Sequence, residues 1–165
     1  MVSINPETQA NARQVEDTGL ASQRIKIAQS LLDQIWQHGE AAYPEEGAGL
    51  LLGSEGNGER QVMAILPFDN AREDTVRHNR YLITAQDMLA GEQQAMRLGL
   101  DIVGVFHSHP DHPNQPSEFD RQWALPWFSY VITSVTQGAA QGSRSWRLQD
   151  DRSQFIEEML LIISE

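Results

Sequence analysis

The chain has 165 residues, of which 40% are hydrophobic, so it forms about one domain and is long enough to bury a core. Its formal net charge of -11 at pH 7 argues against a nucleic-acid partner, because phosphate backbones are bound by clustered lysine and arginine. The absence of cysteine excludes disulfides and thiolate metal ligands, which leaves histidine, aspartate and glutamate as the strong zinc ligands.

The first 22 residues are polar and contain few aromatic side chains, which predicts a mobile tail ahead of one domain over residues 23–165. The N-terminus has neither the basic start nor the apolar core of a signal peptide. No apolar run approaches the roughly 18 residues that span a bilayer. We therefore expect a cytoplasmic protein with no membrane partner.

Hydrophobic periodicity predicts one helix and a hairpin in the first half of the chain. Residues 25–40 carry apolar side chains at spacings of three to four, which is typical of an amphipathic helix. Residues 48–52 form a short apolar run, residues 53–58 a glycine-rich turn, and residues 61–68 a second strand. The two strands are expected to pair as a hairpin.

A polar stretch over residues 69–79 and a short strand over residues 81–83 lead to a second predicted helix. Thr84 is placed to cap this helix, with Asp87 three residues later in the capping-box position. The methionines of the helix are interpreted as core residues. Its apolar side is expected to consist of Met88, Leu89, Gln93, Met96 and Leu100.

The second half of the chain alternates strands with one helix. Residues 101–107 contain the apolar run Ile-Val-Gly-Val-Phe, which predicts a central strand buried on both faces. The remaining elements are a helix over 118–127, strands over 129–135 and 145–149 separated by a turn over 137–142, and an apolar element of undetermined type over 155–163. Strands interleaved with helices in irregular order predict an α/β or α+β fold, in which helices pack around a mixed sheet.

Two histidines stand two residues apart at the end of the predicted central strand. Alternate side chains of a strand share a face, so His107 and His109 can bind one ion while Phe106 and Ser108 point the other way. Prolines after His109 disfavour a helix, and Asp120 lies in the first turn of the next predicted helix. If that turn folds back over the strand end, two imidazoles, one carboxylate and a water would form the ligand set of a catalytic zinc site.

The same residues resemble the motif of a known family. The string His107-x-His109-Pro, with seven residues before Ser117-x-x-Asp120, looks like the JAMM motif of the MPN-domain metalloproteases. That family adds an upstream glutamate in a Pro-x-Glu-x-x-Gly-Leu-Leu context. The matching string here selects Glu46 over the glutamate that precedes it.

The resemblance extends over residues 25–163 and implies a fold and an activity. The fold would be a single MPN-like domain, a curved mixed β-sheet flanked by helices. The activity would be that of a zinc peptidase, in which the two histidines and the aspartate bind Zn²⁺ and a water completes the set. By the same resemblance Glu46 would be the general base and proton shuttle, and Ser117 would donate a hydrogen bond to the oxyanion.

Each of these residues also has an ordinary structural interpretation. Ser117 and Asp120 could cap a helix, a role that is compatible with catalysis. Glu46 could be a solvated acidic residue, and only the family spacing selects it over Glu45. The other histidines are not expected to bind metal, and the last of them is expected to be exposed: His38, His78 and His112.

The resemblance to compact prokaryotic members of the family also implies a substrate class. Such members act on ubiquitin-like sulfur carriers and cut after a C-terminal Gly-Gly, so the expected partner is a protein with a Gly-Gly tail. All polar residues of the motif are kept, which predicts a catalytically competent chain. Three alternatives stay open: a cell-wall or phage-type zinc peptidase, a zinc-binding interaction module without activity, and a metal-free binding protein.

Overall fold

A computed structural model describes residues 23–69 and 81–165. The predicted mobile tail, His78 and the polar stretch after Asp69 lie outside these residues. Within them the chain forms one mixed α+β domain, as predicted, with seven strands and three helices. In chain order the elements are β1 Arg24–Ala28, α1 Gln29–Ala42, β2 Ala48–Gly56, β3 Glu59–Phe68, α2 Ala85–Leu98, β4 Asp101–Pro110, α3 Glu118–Trp123, β5 Ser129–Thr136, β6 Ala139–Leu148 and β7 Phe155–Ile163.

The sheet closes on itself in the order β1-β3-β2-β4-β5-β6-β7, because β1 pairs in parallel with both β3 and β7. Strand β4 lies between β2, which is antiparallel to it, and β5, which is parallel. Its residues from Val103 to Pro110 are buried, as its apolar run predicts. The closed sheet is a tighter form of the curved sheet that the resemblance implies.

Two apolar clusters lie on the two sides of the sheet. Leu32 and Ile35 of α1 belong to the first cluster, and Ala95 of α2 belongs to the second. The adjacent residues Leu50 and Leu51 of β2 fall in different clusters, as expected for alternating side chains of a strand. Among the described residues, none of the helices has the length and apolarity needed to span a bilayer.

The predicted start of the first helix is wrong. Residues Arg24–Ala28 form β1, and α1 begins at Gln29. Ile25 and Ile27 are fully buried on a strand that is paired on both of its edges. Their spacing of two is typical of a strand. Pairing with β3 and β7 therefore outweighs the helical periodicity of the residues that follow.

The predicted apolar side of α2 is only partly correct, although its predicted capping box is present. Met88 and Leu100 pack against the second apolar cluster as expected, whereas Gln93 is exposed. Leu89 and Met96 are exposed, and the buried residues of the helix are the small ones, Gly91 and Ala95. A Cβ on Gly91 would lie 2.3 Å from Cδ1 of Leu50. At Gly91 the helix therefore packs too close to β2 for a larger side chain.

The remaining differences concern element bounds. Residues 81–83 form no strand, and the last apolar element is strand β7. Helix α3 ends at Trp123 rather than at residue 127, because Pro126 disfavours helical geometry in the residue before it. The hairpin turn between β2 and β3 and the turn between β5 and β6 are both shorter than predicted, since the strands extend into them.

Two glycines of β2 provide a matched test of how closely the strands approach. A Cβ on Gly53 would lie 1.8 Å from the carbonyl oxygen of Gln61 in β3, whereas one on Gly56 would meet nothing within 4 Å. We expect Gly53→Ala to lower the free energy of unfolding by about 3 kcal/mol, the upper part of the usual range for overpacking. Gly56→Ala should change it by less than about 0.5 kcal/mol. Urea unfolding measures both, and equal stabilities would contradict the close approach.

Candidate metal centre

Three possible metal ligands converge where β4 ends. His107 and His109 lie on β4, and Asp120 lies in the first turn of α3. The segment between His109 and α3 folds back over the strand end, so that the carboxylate reaches both imidazoles. Within residues 23–69 and 81–165 this is the one group of three or more such side chains whose ligand atoms all lie within 4.8 Å of one another.

The spacing of the donor atoms fits a zinc ion. The Nε2 atoms of the two histidines are 3.1 Å apart. Each Nε2 is 3.2 Å from an oxygen of Asp120, that of His107 from Oδ1 and that of His109 from Oδ2. Two ligands at about 2.0–2.1 Å from tetrahedral zinc are themselves about 3.3 Å apart. All three side chains are buried, and three donors leave one of the four tetrahedral positions for a water.

The electrostatics of the group favour a bound cation. Burial opposes the charge on Asp120, but the charge of His107, the hydrogen bonds of both histidines and the backbone N–H of Ser117 hold the pKa of this carboxyl well below its usual range. Burial lowers the pKa of His107, which favours the neutral imidazole that a metal requires. At His109 burial acts in the same direction, but the hydrogen bond and charge of Asp120 outweigh it and raise the pKa.

The two imidazoles are oriented by different neighbours. Nδ1 of His109 lies 2.8 Å from the carbonyl oxygen of Pro113, which can only accept, so Nδ1 carries the proton and Nε2 offers its lone pair. Nδ1 of His107 is buried and has no hydrogen-bond partner among the described residues. The ring of His107 instead stacks on Tyr81, with centroids 4.3 Å apart and planes 25° apart.

The structure shows the capping interpretation of Ser117 directly. Oγ of Ser117 accepts a hydrogen bond from the backbone N–H of Asp120, and Oδ2 of Asp120 accepts one from the backbone N–H of Ser117, at 3.1 and 2.7 Å. This capping box begins α3 and positions the carboxylate. Because Oγ accepts in this box, the hydroxyl proton of Ser117 is available for a further bond. Its role toward an oxyanion stays a prediction.

Glu46 and Glu45 occupy different places beside the metal group. Glu46 is buried and lines a groove of about 460 Å³ together with His109 and Ser117. Glu45 does not line that groove, although both glutamates border a second groove beside α1. The geometry thus agrees with the family spacing in favouring Glu46. Its role as general base stays a prediction.

Ser108 is a positioning residue that the sequence patterns did not single out. The regular pairing of β2 with β4 ends at Ala48 and His107. One residue further, the N–H of Ser108 donates to the carbonyl of Gly47 at 2.9 Å, and the N–H of Gly47 donates to Oγ of Ser108 at 2.8 Å. The serine hydroxyl therefore adds a rung to the ladder and fixes the backbone next to Glu46 against the strand that carries the histidines.

Removing this rung should cost stability. Ser108→Ala leaves the Gly47 N–H buried without its acceptor, which is expected to lower the free energy of unfolding by about 1–3 kcal/mol. Ser54→Ala is the matched control, because Ser54 is an exposed serine of β2 and should change stability by less than about 0.5 kcal/mol. Chemical denaturation of the two variants decides the matter. If the Ser108 variant were as stable as wild type, the hydrogen bond from Gly47 to Oγ of Ser108 would not contribute to stability.

The other described histidines lie outside the metal group. His112 is exposed, as predicted, and its backbone carbonyl accepts a hydrogen bond from Oγ of Ser134 at 2.7 Å. Nε2 of His38 is 3.2 Å from the carbonyl oxygen of Phe68. The first bond ties the loop after β4 to β5, and the second joins α1 to the end of β3.

Solved structures share the fold of this domain. A protein from Salinibacter ruber is 44% identical, and the match covers 84% of this chain and 91% of that chain with a TM-score of 0.67. A JAB1/MPN domain protein from Archaeoglobus fulgidus is 20% identical, and the match covers 82% of this chain and 98% of that chain with a TM-score of 0.50. At this identity the second match concerns the fold alone. The fold is similar to that of an MPN-type domain.

The family model described as prokaryotic homologs of the JAB domain matches residues 28–149. The chain belongs to this JAB/MPN family, as its JAMM-type motif predicts. It is 28% identical over 132 residues to "Desampylase" from Haloferax volcanii, a match that covers 77% of this chain and 91% of that protein. It is also 28% identical over 114 residues to "Probable TtuB-protein conjugate cleaving protease" from Thermus thermophilus, covering 67% of this chain and 72% of that protein.

Proposed function

We propose that the chain is a zinc-dependent peptidase or isopeptidase that hydrolyses the amide bond after the C-terminal Gly-Gly of a ubiquitin-like or sulfur-carrier protein. The observation that carries this proposal is the buried group of His107, His109 and Asp120, beside a groove that Glu46 and Ser117 also line. A closed structural site would need a fourth protein ligand, which this group lacks among the described residues.

The residues of the groove divide the chemistry among them. A bound zinc ion would supply the polarisation that lowers the pKa of a water from 15.7 to about 7. Glu46 accepts a proton from the attacking water and passes it to the leaving nitrogen. Ser117 donates a hydrogen bond from its hydroxyl group to the oxyanion, while the backbone N–H of Asp120 holds the serine oxygen in place. Losing one such donor typically costs about 100-fold to 1000-fold in rate.

The proposed substrate class rests on the relatives and on the burial of the metal group. The name of the Thermus relative denotes a protease that cleaves protein conjugates. A Gly-Gly tail has no side chains, so it can approach a buried metal group more closely than bulkier residues can. The cytoplasmic location expected from the sequence would suit such a partner and stays a prediction.

The proposal is tested by the intact mass of a small sulfur-carrier protein that bears extra residues after its Gly-Gly. Incubation with the zinc-loaded chain should remove the extension and leave a protein that ends in Gly-Gly. The same protein with Leu-Leu in place of Gly-Gly should stay intact. An unchanged mass with zinc demonstrably bound would contradict the substrate class. Cleavage that persists after zinc is removed by a chelator would contradict the chemistry.

A further inference from the structure

We propose that Tyr81 is a positioning residue of the metal centre, whose ring holds the imidazole of His107 with Nε2 facing Asp120 and His109. This inference rests on the proposed function, because it requires His107 to be a metal ligand. It concerns a residue that lies outside the motif and that the sequence suggested only as part of a short strand.

The first argument is the asymmetry between the two imidazoles. Metal-binding histidines usually donate their second ring N–H to an acceptor, which fixes the ring plane and the tautomer. His109 follows this rule through Pro113. His107 does not follow it within the described residues, although it is buried to 1% exposure. Within the described residues its ring is therefore held by packing and not by a hydrogen bond at Nδ1.

The second argument is the geometry of the stack. At 4.3 Å between centroids and 25° between planes, the phenol ring of Tyr81 covers one face of the His107 imidazole. Rotation of the imidazole about its Cβ–Cγ bond would drive its edge into that ring. Such a rotation is also the motion that would turn Nε2 away from Oδ1 of Asp120, which lies 3.2 Å away. The stack blocks the movement that would dismantle the ligand set.

The third argument is that Tyr81 is itself held in place. It is partly buried and packs against the apolar cluster that contains Val105, Phe128 and Tyr130, beside a cavity of about 170 Å³. Three residues further along the chain, Thr84 forms the capping box that begins α2. The ring is thus fixed by its packing and by the adjacent helix start, so it can act as a rigid wall for the imidazole.

Two substitutions separate the ring from its hydroxyl group. Tyr81→Phe keeps the stack and should keep the wild-type affinity for zinc. Tyr81→Leu removes the ring and should raise the dissociation constant for zinc by about 10-fold to 100-fold, the range found when outer-shell partners of metal ligands are lost. Met88→Ala is the matched control, because Met88 lines the same cavity without being part of the stack, and its affinity should stay at the wild-type value.

The affinity is measured by competition of the purified, full-length chain with a chelator for Zn²⁺. The visible absorption of the Co²⁺-substituted chain is the second readout, because it reports ligand geometry independently of activity. Tyr81→Leu should change this spectrum and Tyr81→Phe should not. Tyr81→Met, which keeps most of the side-chain volume without a ring, takes the place of the leucine variant if that variant does not fold.

The possible outcomes distinguish the two proposals. A wild-type chain that binds no zinc overturns the proposed function and with it the role of Tyr81. A wild-type chain that binds zinc, together with a ring-free variant of equal affinity and unchanged cobalt spectrum, overturns the role of Tyr81 alone. An equal loss of affinity in the Met88 variant would also overturn it, because the effect would then belong to the cavity and not to the stack.

Discussion

Glu46→Gln is expected to lower the turnover number on a Gly-Gly substrate by about 100-fold to 10,000-fold, the usual contribution of a general acid–base group. The amide of glutamine matches the size of the carboxylate but cannot accept a proton at neutral pH. Glu46 is not part of the group formed by His107, His109 and Asp120, so zinc content should stay at the wild-type level. Turnover measured on a chromogenic or mass-based substrate, together with metal analysis, tests both parts.

Glu45→Gln is the control for this substitution. It makes the same chemical change one residue away, on a side chain that does not line the groove beside His109. We expect it to retain turnover within a few-fold of wild type. If both variants lost activity equally, the choice of Glu46 over Glu45 by family spacing and geometry would be wrong. If Glu46→Gln retained full turnover, Glu46 could not be the general base.

Asp120→Asn is expected to lower the affinity for zinc by more than about 100-fold, which is the upper end of the cost of losing an outer-shell partner. The carboxylate is the one negative charge of the metal group, and its pKa lies well below the usual range. A neutral amide neither balances the charge of the ion nor matches a carboxylate as a ligand. Its oxygen can still accept the hydrogen bond from Ser117, so α3 should keep its cap.

The equivalent change in α2 is the matched control. Asp87 occupies the same third position of a capping box, accepting a hydrogen bond from the backbone N–H of Thr84 at 2.9 Å, but it lies outside the metal group. Asp87→Asn should therefore leave zinc affinity unchanged. Isothermal titration of both variants with Zn²⁺ gives the comparison. Wild-type affinity in Asp120→Asn would exclude the carboxylate as a ligand.

The parts of the site that sequence could predict are those that depend on local geometry. The placing of His107 and His109 on one face follows from strand alternation. The two capping boxes follow from a serine or threonine with an aspartate three residues later, and both are present. The contact between Asp120 and the histidines does not follow from local geometry, because it depends on how the chain folds back after β4.

What sequence could not predict depends on distant contacts. The residues of β1 fit a helix until their pairing with β3 and β7 is known. Tyr81 reads as a strand residue until β4 places His107 against its ring. Strand alternation places Ser108 on the face opposite the two ligands, and its hydrogen bond with Gly47 depends on the fold. In each case the deciding partner is far away in the chain.

The pairing of β1 with β7 has a consequence for incomplete chains. All five candidate site residues precede β7, so a chain that stopped before Phe155 would contain the whole motif. It would nevertheless leave β1 and β6 each with an unpaired row of backbone N–H and C=O groups. Such edges are templates for pairing with other chains. A nascent or proteolysed product of this kind would be at risk of aggregation even though its metal ligands were intact.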